Sequence, residues 1–265
     1  MITESPQIAS LELIQESSRS RIFKGQTLGG EEVLIKEDLT GDQGRLFNET
    51  SITGKSSHPE MNSGVVLHQG KLVLCRRFIA GKSLKEIIPS KGMEMQEFLT
   101  LAILLANELQ NLHQKNILHN DINPRNFICE LPNQKITLID YEFGSSIESY
   151  ELHFEQNPLL IGTLEYISPE QTGRMNRKID YRSDYYGLGA TFYEMLSGRP
   201  PFIEDDLLKL IHCHLAITPV PPSRFNQSIS KPLDQIILKL LAKNAEDRYQ
   251  SIAGLLSDLN IVHDL

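Results

Sequence analysis

The sequence predicts an α+β fold in which a small lobe of antiparallel strands precedes a larger lobe of helices. Between residues 11 and 74, short apolar runs alternate with polar breaks and glycines, which is typical of strands joined by tight turns. From Glu94 onward, apolar residues recur at three- and four-residue steps, the period of helices that bury one face. Strands first and helices afterwards favour a sheet and a helical layer that are segregated along the chain.

The composition is that of a globular protein that stays in solution. The chain has 265 residues, of which 40% are hydrophobic and 23% charged, and its formal net charge is -8. This charge argues against nucleic-acid binding, which needs a basic surface. The three cysteines have neither disulfide nor metal-ligand spacing, and residues 1–10 have no apolar core of a signal peptide. The longest apolar run, Leu99 to Ala106, is far shorter than the ~20 residues that cross a bilayer. We therefore expect a cytoplasmic protein with no membrane span.

The predicted small lobe carries a lysine and a glutamate of interest. The runs LELI, RIF and EEVLIK predict an antiparallel meander whose last strand ends at Lys36. A short helix over residues 42–54 carries Glu49, and two further strands are predicted over 65–67 and 72–74. A lysine at a strand end can reach phosphates, and a carboxylate can hold its ammonium in one geometry. Lys36 and Glu49 are therefore candidates for an ion pair.

The predicted larger lobe follows a linker over residues 79–82. Ser83 is the expected cap of a first short helix. Longer helices are predicted over residues 94–113, 183–196, 233–241 and 252–262. The first of these has an apolar stripe that we interpret as core packing. The chain from about 141 to 170 has little periodicity, and such a long loop in a compact domain is usually functional.

One stretch in the middle of the chain carries the strongest chemical signal. His119, Asp121 and Asn126 are spaced as H-x-D-x-x-x-x-N, and an apolar strand over 135–139 then leads to Asp140. A phosphoryl-transfer site needs one Asp to orient and deprotonate the attacking hydroxyl. It also needs an Asn and a second Asp to hold the metal ions that neutralise the transferred group. We assign the first role to Asp121 and the metal-binding roles to Asn126 and Asp140.

Nearly the whole chain resembles a protein kinase domain. The run V-L-I-K ending at Lys36 resembles the family's V-A-I-K, and H-N-D-I-N-P-R-N resembles its catalytic loop. Glu49 with His58-Pro59 resembles the helix glutamate and the His-Pro after it. Ser168-Pro169-Glu170 resembles the A-P-E that closes the activation segment.

Further matches lie in the second half. Asp184 resembles the family's C-lobe Asp, and Arg248 resembles the Arg that pairs with the A-P-E glutamate, here Glu170. More narrowly, the run from 162 to 202 resembles the kinase-like domains at the N-terminus of large bacterial ATPase and sensor-histidine-kinase hybrids.

The resemblance implies a bilobal protein-kinase-like fold that forms a single domain over residues 1–265, with an N-lobe over about 1–78 and a C-lobe over about 79–265. It implies transfer of the γ-phosphoryl group of ATP, with Mg²⁺ or Mn²⁺, to a serine or threonine hydroxyl of a protein substrate, in a setting with signalling partner proteins. The catalytic residues that it implies are Lys36, Glu49, Asp121 and Asn126. The metal ligands are Asn126 and Asp140, and the nucleotide-binding residues are Lys36, Ser17, Ser18, Ser20 and Asp140.

The phosphate-binding region departs from the family pattern. Residues 16–20 contain no glycine where the family has its glycine-rich loop, so backbone amides have less room to approach phosphates, a loss that small serines soften. Glu142 replaces the D-F-G glycine beside Asp140. We expect this extra carboxylate either to repel ATP or to act as a further metal ligand.

Other departures concern control and the adenine pocket. Asn120 replaces the arginine that grips a phosphorylated activation loop in many kinases, and Asn123 replaces the lysine typical of serine/threonine kinases. Arg76 and Arg77, near the hinge, stand at positions that are usually apolar and acidic. They either narrow the adenine pocket or extend to solvent.

Two other functional classes stay open. The sequence around Asp121 and Asp140 also resembles the choline, ethanolamine and aminoglycoside kinases, but those lack the G-T-x-x-Y-x-x-P-E segment that begins here at Gly162. A pseudokinase that binds ATP and scaffolds partners without turnover is the second alternative. We expect a serine/threonine protein kinase ahead of both.

Overall fold

The chain forms two compact units. A computed structural model describes residues 2–3, 6–55, 63–147, 162–175 and 177–264. The first unit is Met1–Ala80 together with Asp140–Gly144, and the second is Gly81–Ile139 together with Ser145–Leu265. The first is built on a sheet and the second mainly on helices, so the predicted α+β class is confirmed.

The described residues of the first unit form a six-stranded sheet and one α-helix. Its strands follow the order β1-β5-β6-β4-β3-β2, antiparallel except where β1 runs parallel to β5. The helix α1 spans Gly44–Thr53, slightly shorter than predicted. The strands are β1 (Ile2–Thr3), β2 (Ile8–Glu16), β3 (Ser20–Thr27), β4 (Glu32–Asp38), β5 (Ser63–His68) and β6 (Lys71–Arg77). The predicted meander is β2 to β4, and the two further strands are β5 and β6.

Strand register directs Lys36 toward α1. Lys36 lies opposite Leu74 on β6, and Leu74 lies opposite Val65 on β5. Residues that face each other across antiparallel strands share one face of a sheet. Val65 and Leu74 pack with Leu46 of α1 in one buried cluster. The Lys36 side chain therefore lies on the face of the sheet that α1 covers.

The second unit contains short strands and six helices among the residues that the structure describes. The strands are β7 (Lys82–Ser83), β8 (Ile117–Leu118), β9 (Phe127–Glu130), β10 (Lys135–Leu138) and β11 (Ser145–Ser146). The helices are α2 (Leu84–Ile87), α3 (Met95–His113), α4 (Tyr181–Ser197), α5 (Leu207–Ala216), α6 (Lys231–Leu240) and α7 (Ile252–His263). Within the described ranges, no helix combines the length and apolarity needed to cross a bilayer.

Most helices agree with the sequence prediction, with two differences. The stripe of α3 is buried as expected, and Ser83 forms a complete capping box at the start of α2. The helix α4 begins at Tyr181, ahead of the predicted start, because the Asp180 carboxylate accepts a hydrogen bond of 2.8 Å from the Arg182 amide and caps it there. The helix α5 was not predicted.

Two packing contacts fix α4 within the second unit. Phe98 of α3 meets Phe192 of α4 edge to face, with 5.5 Å between ring centroids. A Cβ atom on Gly187 would lie 2.8 Å from the carbonyl oxygen of Ile122. Only glycine therefore allows α4 to approach the backbone immediately after Asp121 this closely.

Candidate active site

Lys36 lies at the centre of an ion-pair cluster within the first unit. Its Nζ atom is 3.0 Å from Glu49 Oε2, 2.6 Å from Asp140 Oδ1 and 3.3 Å from Glu142 Oε2. The predicted pairing of Lys36 with Glu49 is therefore present in the structure. Burial alone would lower the pKa of Lys36, but the carboxylates of Asp140, Glu49 and Glu142 outweigh burial and raise it well above its usual value. Lys36 is a fixed cation at physiological pH.

Arg76 is a second buried cation near this cluster. It is only 6% exposed, whereas the neighbouring Arg77 is exposed, so the two hinge arginines differ in environment. Its Nη1 atom donates to the carbonyl of Arg77 at 3.1 Å, and its Nε has no hydrogen-bond partner among the described residues. Burial lowers the pKa of Arg76, although the nearby charge of Glu49 raises it in part.

Glu142 is held by residues of α1. Arg45 Nη1 donates to Glu142 Oε1 at 2.8 Å, while Glu142 Oε2 faces Lys36. The Asn48 side-chain amide donates to the carbonyl oxygens of Glu142 at 3.0 Å and Gly144 at 2.9 Å. Both carboxylate oxygens of Glu142 therefore already face cations of the protein.

The glycine-free turn between β2 and β3 is closed by its own serines. The Ser17 hydroxyl oxygen accepts hydrogen bonds from the amides of Arg19 at 3.1 Å and Ser20 at 3.0 Å. The Ser17 amide donates to the carbonyl of Ser20 at 2.9 Å. Ser18 lies at the tip of the same turn and is exposed. Three amides that a phosphate could otherwise use are thus engaged within the turn.

The catalytic-loop residues lie together in the second unit. The Asp121 carboxylate accepts a 2.7 Å bond from the Thr163 amide at Oδ1 and a 3.0 Å bond from the Asn126 side-chain amide at Oδ2. The backbone carbonyl of Asp121 also accepts hydrogen bonds from Asn126 Nδ2 at 2.8 Å and from Asn123 Nδ2 at 3.1 Å. The Nε2 atom of His119 lies 3.0 Å from the carbonyl oxygen of Ile139, so this side chain contacts the backbone just before Asp140. The orientation of the Asp121 carboxylate is therefore fixed.

Asp184 binds the backbone of the catalytic loop at His119 and Asn120. Its carboxylate accepts the amides of His119 at 3.0 Å and Asn120 at 2.8 Å, and His113 Nε2 lies 2.8 Å away. Burial would raise the pKa of Asp184, but these hydrogen bonds and charges hold it below its usual value. No role of His113 can be inferred from the sequence, because its partner Asp184 is 71 residues away in the chain.

The segment that ends at Glu170 is bonded to the catalytic loop. The Gln171 side-chain amide donates to the carbonyl of Asn120 at 2.6 Å. Gly162 has a φ of +98°, and a Cβ atom there would lie 2.9 Å from the same carbonyl, so the segment needs glycine at this point. Glu170 pairs with Arg248 at 2.6 Å and 2.9 Å, as the sequence predicts. Residues 148–161 of the predicted activation segment, and the predicted His58-Pro59, lie outside the described residues.

Comparison with known proteins identifies the family. Residues 27–258 match the family described as "Protein kinase domain". The chain belongs to the protein kinase domain family.

Several curated relatives of this kinase domain are bacterial proteins. It is 35% identical over 187 residues to "Serine/threonine-protein kinase PknB" of Mycobacterium leprae, covering 70% of this chain and 29% of that protein. It is 34% identical over 188 residues to the protein of the same name in Mycobacterium tuberculosis, and the match covers 71% of this chain and 30% of that protein. A "Probable serine/threonine-protein kinase" of Corynebacterium efficiens is 29% identical over 267 residues, covering 94% and 40%. The chain thus spans less than half the length of these relatives.

Asn120 and Asn123, which replace the arginine and lysine of the family pattern, form hydrogen bonds between uncharged groups. Asn120 donates through Nδ2 to the Ser145 hydroxyl at 3.0 Å, at the start of the activation segment. Asn123 donates through Nδ2 to the Thr163 hydroxyl at 3.2 Å, near the end of that segment. Side-chain amides therefore make the contacts where the family pattern has cations.

Proposed function

We propose that this kinase domain is an ATP-dependent enzyme that transfers the γ-phosphoryl group to a serine or threonine hydroxyl of a protein. The observation that carries the proposal is the orientation of the Asp121 carboxylate between the Thr163 amide and the Asn126 side chain. A carboxylate fixed in this way can accept the proton of an attacking hydroxyl without reorganisation. The names of the curated relatives favour a serine or threonine acceptor.

The other predicted site residues have environments that suit their proposed roles. Lys36 is a permanent cation for nucleotide phosphates, and Glu49 restricts its position. Asn126 donates through Nδ2 to Asp121, and we propose its Oδ1 atom as a metal ligand; the Asp140 carboxylate of the first unit is the other proposed ligand. Hard oxygen donors of this kind fit Mg²⁺ or Mn²⁺, which would neutralise phosphate charge when bound. Ser17, Ser18 and Ser20 are the proposed contacts of the nucleotide at the glycine-free turn.

The context of the proposal follows from the family. We propose that residues 1–265 form one kinase domain that acts in the cytoplasm on a protein substrate, in the company of signalling proteins and without nucleic acid. The run from Gly162 to Glu170, which choline and aminoglycoside kinases lack, disfavours a small-molecule acceptor.

A pseudokinase is the second candidate, and two observations favour it. Three carboxylates compete for Lys36, and the amides of the glycine-free turn are engaged internally. Both features oppose the entry of ATP phosphates. An ATP-binding scaffold without turnover would tolerate them.

One experiment separates the candidates. Purified protein is incubated with radiolabelled ATP and Mg²⁺ or Mn²⁺, with generic protein substrates, with choline and aminoglycosides, and with no acceptor. We expect label in protein, its loss in Asp121→Asn, and unchanged MgATP binding by that variant, because the carboxylate orients the nucleophile and not the nucleotide. Label in a small molecule alone would refute the proposal. If the protein binds MgATP but transfers no label that depends on Asp121, the pseudokinase alternative is supported.

A further inference from the structure

One face of the helix α1 forms hydrogen bonds with residues 142–144, which follow Asp140. Arg45, Asn48 and Glu49 are separated by three and four positions, so their side chains project from the same side of the helix. Arg45 binds the Glu142 carboxylate, Asn48 binds the carbonyls of Glu142 and Gly144, and Glu49 binds Lys36. One face of α1 therefore fixes the positions of both residues 142–144 and the Lys36 side chain.

The Arg45–Glu142 contact differs from an ordinary surface ion pair. The Glu142 side chain is only 10% exposed and that of Arg45 29%, and their atoms are 2.8 Å apart. Arg45 is further fixed by Asp42, at 3.3 Å, and its guanidinium lies 5.7 Å from the centroid of the Phe143 ring. Exposed pairs gain little because water competes with them, whereas a largely buried carboxylate that loses its cation is left with an uncompensated charge.

Three carboxylates of the cluster face only two buried cations unless Arg45 is counted; Asp42, which also contacts Arg45, is 61% exposed and lies in solvent. The carboxylates are those of Glu49, Asp140 and Glu142, and the buried cations of the sheet are Lys36 and Arg76. Without Arg45 the cluster would have an excess of negative charge where the triphosphate is proposed to bind. Arg45 therefore neutralises the carboxylate that Glu142 adds at a glycine position.

We propose that Arg45 is a positioning residue, which through Glu142 fixes α1 so that Glu49 meets Lys36. Glu142 is then an anchor for α1, and neither a metal ligand nor a barrier to ATP. The inference rests on the proposed function, because the geometry of Lys36 matters for activity only in an enzyme that uses ATP.

The first measurement does not involve nucleotide. Hydrogen exchange of the α1 backbone amides is followed in the ATP-free protein, in the wild type and in Arg45→Gln. We expect exchange in α1 to become about tenfold faster in Arg45→Gln, because the helix loses its main tether. Lys24→Gln, which removes a cation from an exposed ion pair with Glu32 in the same unit, is the matched control and should leave α1 unchanged. Unchanged exchange in Arg45→Gln would overturn the proposal.

The second measurement tests the link to the nucleotide site. We expect Arg45→Gln to weaken MgATP binding about tenfold, Arg45→Lys to restore part of the loss, and Lys24→Gln to have no effect. The double variant Arg45→Gln/Glu142→Gln should bind MgATP no more weakly than Arg45→Gln, since the buried carboxylate that lost Arg45 is also removed and the exposed Asp42 is solvated. Additive losses, or a faster-exchanging α1 with unchanged MgATP affinity, would overturn the positioning role. Wild-type protein that binds no MgATP would refute the proposed function, while the exchange result would still decide whether Arg45 tethers α1.

Discussion

Removal of the Glu170 charge should destabilise the protein more than any surface ion pair does. Glu170 is 3% exposed and Arg248 2%, and two parallel contacts of 2.6 Å and 2.9 Å join them. Arg248 also donates to the carbonyls of Ala242 at 2.8 Å and Arg182 at 2.8 Å. The pKa of Glu170 is below its usual value, because Arg248 and Ser183 outweigh the effect of burial.

The magnitude follows from what Glu170→Gln leaves behind. The new amide keeps an acceptor for Ser183 but turns an NH₂ group toward the Arg248 guanidinium, so a buried charge loses its counter-charge. Breaking one side of a buried ion pair costs about 3–5 kcal/mol, a large share of the ~5–15 kcal/mol that stabilises a typical domain. At roughly 2–4 °C per kcal/mol, the melting temperature should fall by about 10 °C.

Calorimetry and urea denaturation measure this loss. Arg177→Gln, which breaks an exposed pair with Glu246 in the same unit, is the control and should change stability by less than about 1 kcal/mol. The double variant Glu170→Met/Arg248→Met should lose less than the sum of the single variants, because it leaves no buried charge. A loss below about 1 kcal/mol in Glu170→Gln would refute the assignment of this pair as a buried and dry contact.

Three further predictions concern nucleotide, control and pH. Lys36→Met should weaken MgATP binding, so that MgATP at a hundred times the wild-type dissociation constant adds less than the ~2.7 kcal/mol expected for the wild type; an unchanged thermal shift would contradict the role of Lys36. Because Asn120 makes a neutral bond to Ser145, phosphatase treatment should leave the phosphotransfer rate unchanged, and an about tenfold loss would show that another group grips a phosphate. Burial lowers the pKa of His214 to about 3, so the unfolded chain binds a proton below about pH 6.5 that the folded protein does not. Stability should therefore fall by about 2 kcal/mol between pH 7.5 and 5, and His214→Gln should reduce this slope in urea denaturation; an unaltered slope would contradict the assignment.

Elements with strong periodicity were predictable from the sequence. The strands β2 to β6 and the helix α3 have patterns that extend over many residues, so burial of one face determines them. The helix α5 was missed although Asp206 caps it through the Lys209 amide at 2.9 Å, because the segment is short and the exposed Leu207 and Leu208 obscure the face that Leu210 and Ile211 bury. Its existence depends on tertiary packing more than on local pattern.

Site residues were predictable where chemistry fixes a spacing. Asp121 and Asn126 lie five positions apart because one side chain must reach the other within a single loop, so their relation is visible locally. The support from His113 to Asp184 spans 71 residues and has no spacing of its own. Contacts between distant segments depend on the fold, so only the structure reveals them.

Glu142 shows why a departure from a family motif has no fixed meaning by itself. As a sequence feature it is a carboxylate beside Asp140, for which repulsion of ATP and metal binding are the available roles. In the structure its counter-charge is Arg45, 97 residues earlier in the chain. A buried carboxylate is costly when alone and tolerated when a cation is held against it. The effect on activity of replacing the motif's glycine by Glu142 therefore depends on Arg45 as well. In other kinase domains with an acidic residue at this position, we expect activity where α1 carries a basic residue that can pair with it.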